Sequence, residues 1–359
     1  MTIQYKLLKN ATIQILSFAI IIFSIFINPA NASEPPQELV ILNWSEYMLP
    51  EMIEAFEKEH NAIVKEVYFE SDDARDQILL QTKGNGFDLI LANGAVINTY
   101  RKRNWLQPID LNDIPNTKHI ESIWLNSFAA AKNYGVPYFW GTLGIAYRKD
   151  LVDTPITSWK QFFNPEEKLR GKILHVSSSR DILGMALKSL GYSANSESTS
   201  ELNEAKELLL SQKPYVSHYG YISLEKSSSL VKGNIIAATV YGGDALNVAE
   251  HNENIVYVLP EEGGNIWVDF LTLSAHAKNP KLATKFLNFI NTPMWAAKNA
   301  EDMYLASPNA AAKKLLSDEL LNDPIIYPDK KALSKSEFYT ELPPRVLRTR
   351  ANIYSRISK

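Results

Sequence analysis

The chain alternates between short apolar runs and stretches in which apolar residues recur at helical spacing. The strand-like runs are 39–42, 63–69 and 88–92, and the helix-like stretches are 51–58 and the one that opens at Asp72 and Asp73. This order predicts an α/β fold with a parallel sheet and helices on both faces. Because ligands of such sheets bind beyond the carboxyl ends of the strands, the segment from Trp44 to Tyr47 is expected on the same rim as Asn93.

Two extended aromatic stretches interrupt this pattern. The first, 134–147, contains Pro and Gly breaks and is interpreted as a crossing from one lobe to another, and the second, 263–271, is interpreted as the return crossing. Between them, strands are predicted at 172–176, 235–241 and 255–259, and helices at 180–190, 201–210 and 244–250. Ser177 to Ser179 is interpreted as a turn that caps a helix, and the basic end 345–359 as a solvated helix.

The first 32 residues have the features of a secretory signal peptide. Lys6 and Lys9 form a basic start, 16–27 is a mostly apolar run, and Ala30-Asn31-Ala32 is a cleavage motif. A transmembrane helix fits less well, because the run is short and ends at Asn28-Pro29. The chain has no cysteine, so it has neither disulfides nor the residue that anchors a lipoprotein. A soluble protein of the periplasm is therefore predicted.

Charge and motif content argue against nucleic-acid binding and against catalysis. The formal net charge is −3, and loss of the signal segment with its two lysines makes it −5, which excludes a general nucleic-acid binder and favours cationic partners. The six histidines have no metal-ligand spacing, and Gly84-x-Gly86 is not a dinucleotide fingerprint. Asp72 and Asp73 could contribute to a metal site, but a helix start explains the pair. The chain is predicted to be no enzyme and to need no cofactor or metal.

An aromatic ring beside an acid recurs at breaks between predicted elements. The three groups are Trp44 and Tyr47 with Glu46, Tyr241 with Asp244, and Trp267 with Asp269. Since alternate residues of a strand share a face, the ring and carboxylate of the third group point the same way. Rings attract organic cations, and carboxylates supply charge-assisted hydrogen bonds. Each group alone also fits core packing beside a solvated acid, but together they favour a cation site in the cleft.

An ordered set of motifs resembles the spermidine/putrescine-binding periplasmic proteins over essentially the whole mature chain. The motifs are Asn43-Trp44-Ser45-Glu46-Tyr47, Phe87-Asp88-Leu89, Val136-Pro137-Tyr138-Phe139-Trp140-Gly141, the run 185–193, Glu262-Gly263-Gly264, Trp267-Val268-Asp269 and Ser307-Pro308-Asn309. The resemblance implies a two-lobed periplasmic binding protein of type II, each lobe a central sheet flanked by helices, which closes on a polyamine in the inter-lobe cleft. The implied lobes are 33–143 with about 269–314, and 144–268 with about 315–359.

The resemblance also implies ligand-binding residues. Aromatic walls are implied at Trp44, Tyr47, Tyr241 and Trp267, ammonium-binding acids at Glu46, Asp181 and Asp269, and a hydroxyl at Ser45. Asn93, on the predicted rim, and Asp244, which replaces a family hydroxyl residue, complete the predicted set. In this arrangement rings sandwich the methylenes, and carboxylates hold the nitrogens.

Several positions depart from the family pattern. A family Asp is here Ser178, two family tyrosines are Ala95 and Leu305, and a family Gln is Tyr339. Loss of one carboxylate implies that one ammonium is bound more weakly or elsewhere, so the preferred polyamine is expected to differ from that of a transport spermidine binder. Such divergence is similar to the norspermidine-sensor branch, which signals to an inner-membrane receptor with a cyclic-di-GMP-metabolising domain. Transport members instead deliver their cargo to an ABC permease.

The cleft residues leave the output open between these partners, and the divergence slightly favours the sensor. A sugar or an amino acid is the alternative ligand, because sugars also stack on Trp and Arg180 could meet a carboxylate. An exported hydrolase is a third hypothesis, for which no catalytic set is found. The protein is expected to be a monomer.

Overall fold

Ten strands are joined by hydrogen bonds in the computed structural model, which describes residues 35–359. They are β1 (Gln37–Trp44), β2 (Ala62–Phe69), β3 (Leu89–Asn93), β4 (Gly135–Arg148), β5 (Ile173–His175), β6 (Val216–Tyr219), β7 (Ala237–Tyr241), β8 (Ile255–Val258), β9 (Asn265–Leu273) and β10 (Glu337–Phe338). The predicted signal peptide lies outside the described residues.

Helices separate most of these strands. They are α1 (Pro50–His60), α2 (Asp72–Thr82), α3 (Ile97–Lys102), α4 (Ser122–Leu125), α5 (Trp159–Phe163), α6 (Ser179–Ser189), α7 (Thr199–Gln212), α8 (Gly242–Ala249), α9 (Pro280–Ile290), α10 (Pro293–Met303), α11 (Ala310–Lys313), α12 (Asp318–Leu321), α13 (Lys330–Leu333) and α14 (Pro344–Ile357). Short 3₁₀ turns cover Leu111–Asp113, Pro115–His119, Ala129–Ala131, Glu167–Leu169 and Lys213–Tyr215. From residue 35 onward, no helix combines the length and apolarity that crossing a membrane requires.

The strand order is β2-β1-β3-β9-β4-β7-β5-β6, with β10 beside β9 and β8 beside β4. β1 is parallel to β2 and to β3, as the alternating pattern predicts. β9 then enters between β3 and β4 and runs antiparallel to both. Its position puts Asp269 directly opposite Asn93 in the register of β3 and β9.

β4 belongs to two parts of this sheet. Its residues 135–142 pair with β9, residues 143–147 pair with β7, and residues 145–148 pair with β8. We call β1, β2, β3, β9 and β10 with the first half of β4 the first sheet, and β5 to β8 with its second half the second sheet. The stretch that was predicted to cross between lobes is therefore a single strand. The chain returns to the first sheet between β8 and β9.

Each sheet is covered by its own hydrophobic cluster. The first cluster includes Leu39, Ile41, Phe56, Phe270 and Phe286, the second includes Trp159, Phe162, Ile173 and Leu183, and a third on the second sheet includes Leu174, Val240 and Val248. Burial of this apolar surface, at about 25 cal/mol per Å², is the main stabilising term for both parts. The α/β architecture with helices packed around both sheets confirms the predicted fold class.

Helix starts near the predicted site are capped as their sequences indicate. The Ser71 hydroxyl accepts from the Ala74 backbone NH at 3.0 Å at the start of α2, and the Ser178 hydroxyl accepts from the Asp181 NH at 3.2 Å at the start of α6. The interpretation of Ser177 to Ser179 as a capping turn is confirmed.

The C-terminal helix α14 is not simply solvated, so that part of the prediction is wrong. Val346, Ile353 and Ile357 are buried in the second cluster, at a spacing that marks one face of a helix. Arg350 lies on the same face with 2% exposure and donates to the carbonyl oxygen of Ala194 at 2.8 Å. The basic side chains in residues 345–359 had suggested a solvated helix.

Candidate binding site

Side chains from both sheets meet where β1, β3 and β7 end. We call this group the junction site, and its members are Trp44, Tyr47, Asp72, Asn93, Asp181, Tyr221, Tyr241, Asp244, Trp267 and Asp269. Eight of them are among the predicted site residues. Asp72 and Tyr221 are additions that sequence reasoning missed.

Asp269 is a buried carboxylate at the centre of the first sheet. It is 8% exposed, and its Oδ2 accepts a hydrogen bond from the Tyr47 hydroxyl at 3.0 Å. Burial, followed by the negative charge of Asp72, raises the pKa of Asp269 to about 7. This carboxylate forms no ion pair with any residue of 35–359, so a bound cation would stabilise its charged form.

The segment after β1 turns sharply and fixes Tyr47 against this acid. Glu46 adopts a left-handed backbone with φ 52°, which reverses the direction of the chain. The Tyr138 hydroxyl donates to the Tyr47 carbonyl oxygen at 2.8 Å, and Asn299 donates to the Tyr138 hydroxyl at 2.7 Å. The backbone of Tyr47 is therefore held by Tyr138 of β4, which Asn299 of α10 holds in turn.

Trp44 forms an aromatic wall at the end of β1. Its ring lies 4.5 Å from the Phe69 ring on β2, and it lies 6.0 Å from the ring of Tyr221. Tyr221 follows β6 in a loop, so the pair brings the two sheets together. No hydrophobic pattern around Tyr221 indicated this contact, because the loop is polar.

Trp267 forms a second aromatic wall, two residues before Asp269 on β9. Its ring lies 6.1 Å from Tyr241, edge to face. A Cβ on Gly141 would approach the Trp267 ring to 2.5 Å, so the indole needs glycine at that position of β4. The Trp267 Nε1 is buried and has no hydrogen-bond partner among the described residues.

Asp181 is the corresponding buried acid of the second sheet. It is 5% exposed in the first turn of α6, and its Oδ2 accepts from the Tyr241 hydroxyl at 3.2 Å. Burial raises the pKa of Asp181, against the opposing hydrogen bonds from Ser178 and Tyr339. Within residues 35–359, its buried Oδ1 has no partner in regular hydrogen-bond geometry.

Tyr339 lies directly behind this acid. Its buried hydroxyl approaches Asp181, its ring carries the Arg180 guanidinium at 5.8 Å, and a Cβ on Gly184 would meet the hydroxyl at 2.7 Å. Arg180 is thus occupied by the tyrosine face. The residue that replaces a family Gln fills space beside Asp181.

Asp244 lies in the first turn of α8 and faces the junction site from the second sheet. Its charge is one of the causes that raise the pKa of Tyr47, after burial and Asp269. Burial raises the pKa of Asp244 to about 6. No hydrogen bond or ion pair of its carboxylate is found within residues 35–359, so a third acid there is uncompensated.

Ser45 and Glu46 lie apart from this group. Both side chains are exposed, and the charge of Glu46 contributes, after burial and Glu66, to the raised pKa of Tyr68 on β2. Their role as ligand contacts stays a prediction. The turn at Glu46 explains why neighbours in sequence point to different surroundings.

The three remaining departures from the family pattern have structural roles. Ser178 caps α6, Ala95 is buried in the second cluster, and Leu305 is buried in the first cluster, where a Cβ on Gly243 would meet it at 2.9 Å. Ser178 brings a hydroxyl to Asp181, whereas Ala95 and Leu305 add no polar side chain to the acids described above.

A surface depression of about 640 Å³ lies elsewhere, on the outer side of the first sheet's helices. It is lined by residues of α1, α9 and α10 that include His60, Phe289 and Trp295. Because it gathers no buried carboxylate, it does not match the predicted chemistry.

Two sheets that share a strand, with buried acids and aromatic rings between them, define a solute-binding protein of the two-lobed type. The chain belongs to the bacterial extracellular solute-binding protein family, whose profile matches residues 51–328. Members of this family are solute-binding proteins.

Individual relatives agree with this assignment. The chain is 33% identical over 306 residues to the spermidine/putrescine-binding periplasmic protein of Salmonella typhimurium, covering 85% of this chain and 87% of the relative. It is 31% identical over 323 residues to the norspermidine sensor of Vibrio cholerae, covering 89% of each. Among solved structures, a putative spermidine/putrescine ABC transporter protein from Listeria monocytogenes superposes with a TM-score of 0.80 at 32% identity, covering 89% of this chain and 98% of that one. The predicted resemblance to polyamine-binding proteins is confirmed.

Proposed function

We propose that this chain is a periplasmic polyamine-binding protein that closes on its ligand and presents the bound form to an inner-membrane partner. The observation that carries the proposal is a pair of buried carboxylates, Asp269 and Asp181. Each accepts a hydrogen bond from a tyrosine, and neither forms a salt bridge in the described part of the chain. Uncompensated buried acids are costly, so a cation with several nitrogens is the ligand that relieves them best.

The aromatic rings complete this chemistry. Trp44, Tyr241 and Trp267 offer apolar faces for methylene groups and attract ammonium groups through their quadrupoles. A polyamine combines both features at regular spacing. The names of the relatives, which refer to spermidine, putrescine and norspermidine, support the same class of ligand.

Closure between two lobes explains how binding is reported. We assign 33–143 with about 269–314 to one lobe and 144–268 with about 315–359 to the other, with 1–32 removed as a signal peptide. A ligand shifts such an equilibrium only by binding the closed state more tightly than the open one. The acids from both sheets would contact one ligand only when the lobes are together.

A sugar or an amino acid is the alternative ligand. An amino acid needs a cation for its carboxylate, but Arg180 stacks on Tyr339 and the nearby Arg75 is paired with Asp72. The acidic surroundings therefore disfavour any anion. A sugar would leave the charge of the carboxylates uncompensated.

Calorimetric titration of the mature chain with putrescine, norspermidine, spermidine and spermine tests the proposal. We expect micromolar or tighter binding of at least one polyamine, with glucose and glutamate as negative controls. Absence of binding by all four polyamines would overturn it.

Two partners remain candidates for the bound form. These are an inner-membrane receptor with a cyclic-di-GMP-metabolising domain and an ABC permease, and the relatives include both a sensor and a transport protein by name. Deletion of the gene separates them. Loss of labelled polyamine uptake supports the permease, whereas a polyamine-dependent change in cyclic-di-GMP with normal uptake supports the receptor.

A further inference from the structure

Asp72 places a carboxylate beside the predicted acids although its position is explained locally as a helix start. Its Oδ2 accepts a hydrogen bond from the Asn93 side chain at 3.0 Å. Asn93 is the direct cross-strand neighbour of Asp269. Asp72 therefore lies one hydrogen bond away from the residue paired with the central acid of the site.

A buried arginine holds this carboxylate in place. Arg75 is 1% exposed, its Nη1 lies 2.6 Å from Asp72 Oδ1, and its Nε donates to the Tyr100 hydroxyl at 2.7 Å. The guanidinium also lies over the Phe69 ring, which packs on Trp44. The acid is thus tied to the same packed group as the first aromatic wall.

Asp72 still has capacity for another donor. Its side chain is 47% exposed, and an ionised carboxylate accepts about four hydrogen bonds, of which the structure uses two. The adjacent Asp73 is exposed and makes no such contacts with Arg75 or Asn93. The two neighbouring acids therefore differ in orientation although they begin the same helix.

The charge of Asp72 raises the pKa of groups on three elements and on one loop. After burial, it is a cause of the raised pKa of Asp269 on β9, and it contributes to the raised pKa values of Asp181, Tyr221 and Tyr241. The buried Oδ1 of Asp181, for which the described part of the chain offers no hydrogen-bond partner in regular geometry, belongs to this group. Both observations indicate a position that a positively charged group would occupy.

We propose that Asp72 is a specificity-determining residue that contacts a nitrogen of the bound polyamine, while Arg75 and Asn93 act as positioning residues for its carboxylate. This inference rests on the proposed function. It adds a fourth acid, from helix α2, to those contributed by β9, α6 and α8. Helix α2 then contributes, together with the strand ends, to the number of nitrogens that the site can bind.

One single variant tests this role, and two others serve as matched controls. Asp72→Asn removes the charge, Asp73→Asn removes the same charge one residue away, and Asp76→Asn removes another acid partner of Arg75. Calorimetric titrations with norspermidine and putrescine give the dissociation constants. We expect Asp72→Asn to raise the constant for norspermidine at least about tenfold, the effect of losing one charge-assisted hydrogen bond, and the two controls to stay within about threefold.

Each other result overturns the inference. A change of less than about threefold for Asp72→Asn removes the direct contact. Equal losses of affinity for Asp72→Asn and Asp73→Asn indicate a general charge effect. Equal losses of affinity for Asp72→Asn and Asp76→Asn indicate that unpairing of Arg75, and not loss of a ligand contact at Asp72, weakens binding. Thermal melting of all variants checks folding. If the unaltered protein binds no polyamine, the proposed function itself fails, whereas binding that ignores Asp72 leaves that function intact.

Discussion

The two sheets each contribute a buried aspartate that accepts a hydrogen bond from a tyrosine, but they hold it by different means. Asp269 lies within β9, with β3 and β4 on either side, whereas Asp181 lies in the first turn of α6. The helix N-terminus and the Ser178 cap favour a negative charge at Asp181. Asp269 has no such dipole, and burial takes its pKa to about 7. Burial raises the pKa of both acids, but only the helix-held Asp181 has a helix N-terminus and a capping hydroxyl that partly offset this cost.

Removal of the strand-held charge at Asp269 should have the largest effect on polyamine binding. Asp269→Asn should weaken polyamine binding by about 2–4 kcal/mol, because a buried charge pair with the ligand is lost. Calorimetric titration measures the change, with the exposed Asp318→Asn as the control. An unchanged dissociation constant for Asp269→Asn would place this residue outside the ligand contacts.

Removal of the helix-held charge at Asp181 should weaken binding less than removal of the charge at Asp269. It should also make the ligand-free protein more stable. Asp181→Asn should weaken binding by about 1.5–3 kcal/mol, the value of a hydrogen bond to a charged group. Since burial raises the pKa of Asp181, its charge destabilises the ligand-free protein, and the variant should melt at a higher temperature without ligand. A variant that binds normally would show that the second sheet supplies no ammonium contact.

The affinity for a polyamine should also depend on pH, by less than either substitution changes it. The pKa of Asp269 is raised to about 7 and that of Asp244 to about 6, both by burial, so bound ammonium groups must displace protons below about pH 7. Affinity should fall about tenfold, or about 1.4 kcal/mol, between pH 8 and pH 6. Titrations at pH 8, 7 and 6 test this. Asp269→Asn should flatten the profile, and a constant affinity in the unaltered protein would contradict it.

The same pKa shifts fix the sign of the effect on folding. The folded-state pKa values of Asp269 and Asp244 lie above the ordinary value near 4, so the folded, ligand-free protein binds protons more tightly than the unfolded chain. Their contribution makes the ligand-free protein more stable as the pH falls from about 8 towards 4. Binding and stability should therefore change in opposite directions over pH 8 to 6.

Local patterns predicted those parts of the fold that depend on neighbours in sequence. The alternation of 39–42, 51–58, 63–69 and 88–92 predicted the parallel strands of the first sheet and their helices, because periodicity reports which face is buried. The alternate positions of Trp267 and Asp269 likewise predicted a shared face on one strand.

Contacts between distant segments could not be predicted in this way. The insertion of β9 between β3 and β4 left no local signal, since its partners lie far away in sequence. Tyr221 comes from a polar loop, and Asp72 was fully accounted for by its helix start. The bond between Tyr241 and Asp181 joins residues 60 positions apart. Such pairings are set by tertiary packing, which a motif does not contain.

The segment from Trp44 to Tyr47 shows both what its sequence predicted and what it did not. Trp44 and Tyr47 point into the junction site, while the left-handed turn at Glu46 leaves that carboxylate and Ser45 exposed. Composition of a short motif indicates the chemistry available. The backbone conformation of a single residue then sets which side chains point into the junction site.

The path of β9 also has a consequence for the order of assembly. Thr272 donates to the carbonyl oxygen of Ile90 across 182 residues of chain, so the first sheet closes only after everything between them has been made. The strands of the second sheet, from the last half of β4 to β8, lie entirely inside that interval. Because distant pairings carry the larger loop-closure cost, the strands of the second sheet can associate before the first sheet is complete, and α14 packs on them only after it has been made. Newly made chains would therefore pass through a stage in which the acid and aromatic residues of the second sheet are in place, while those that β9 contributes have not yet joined them.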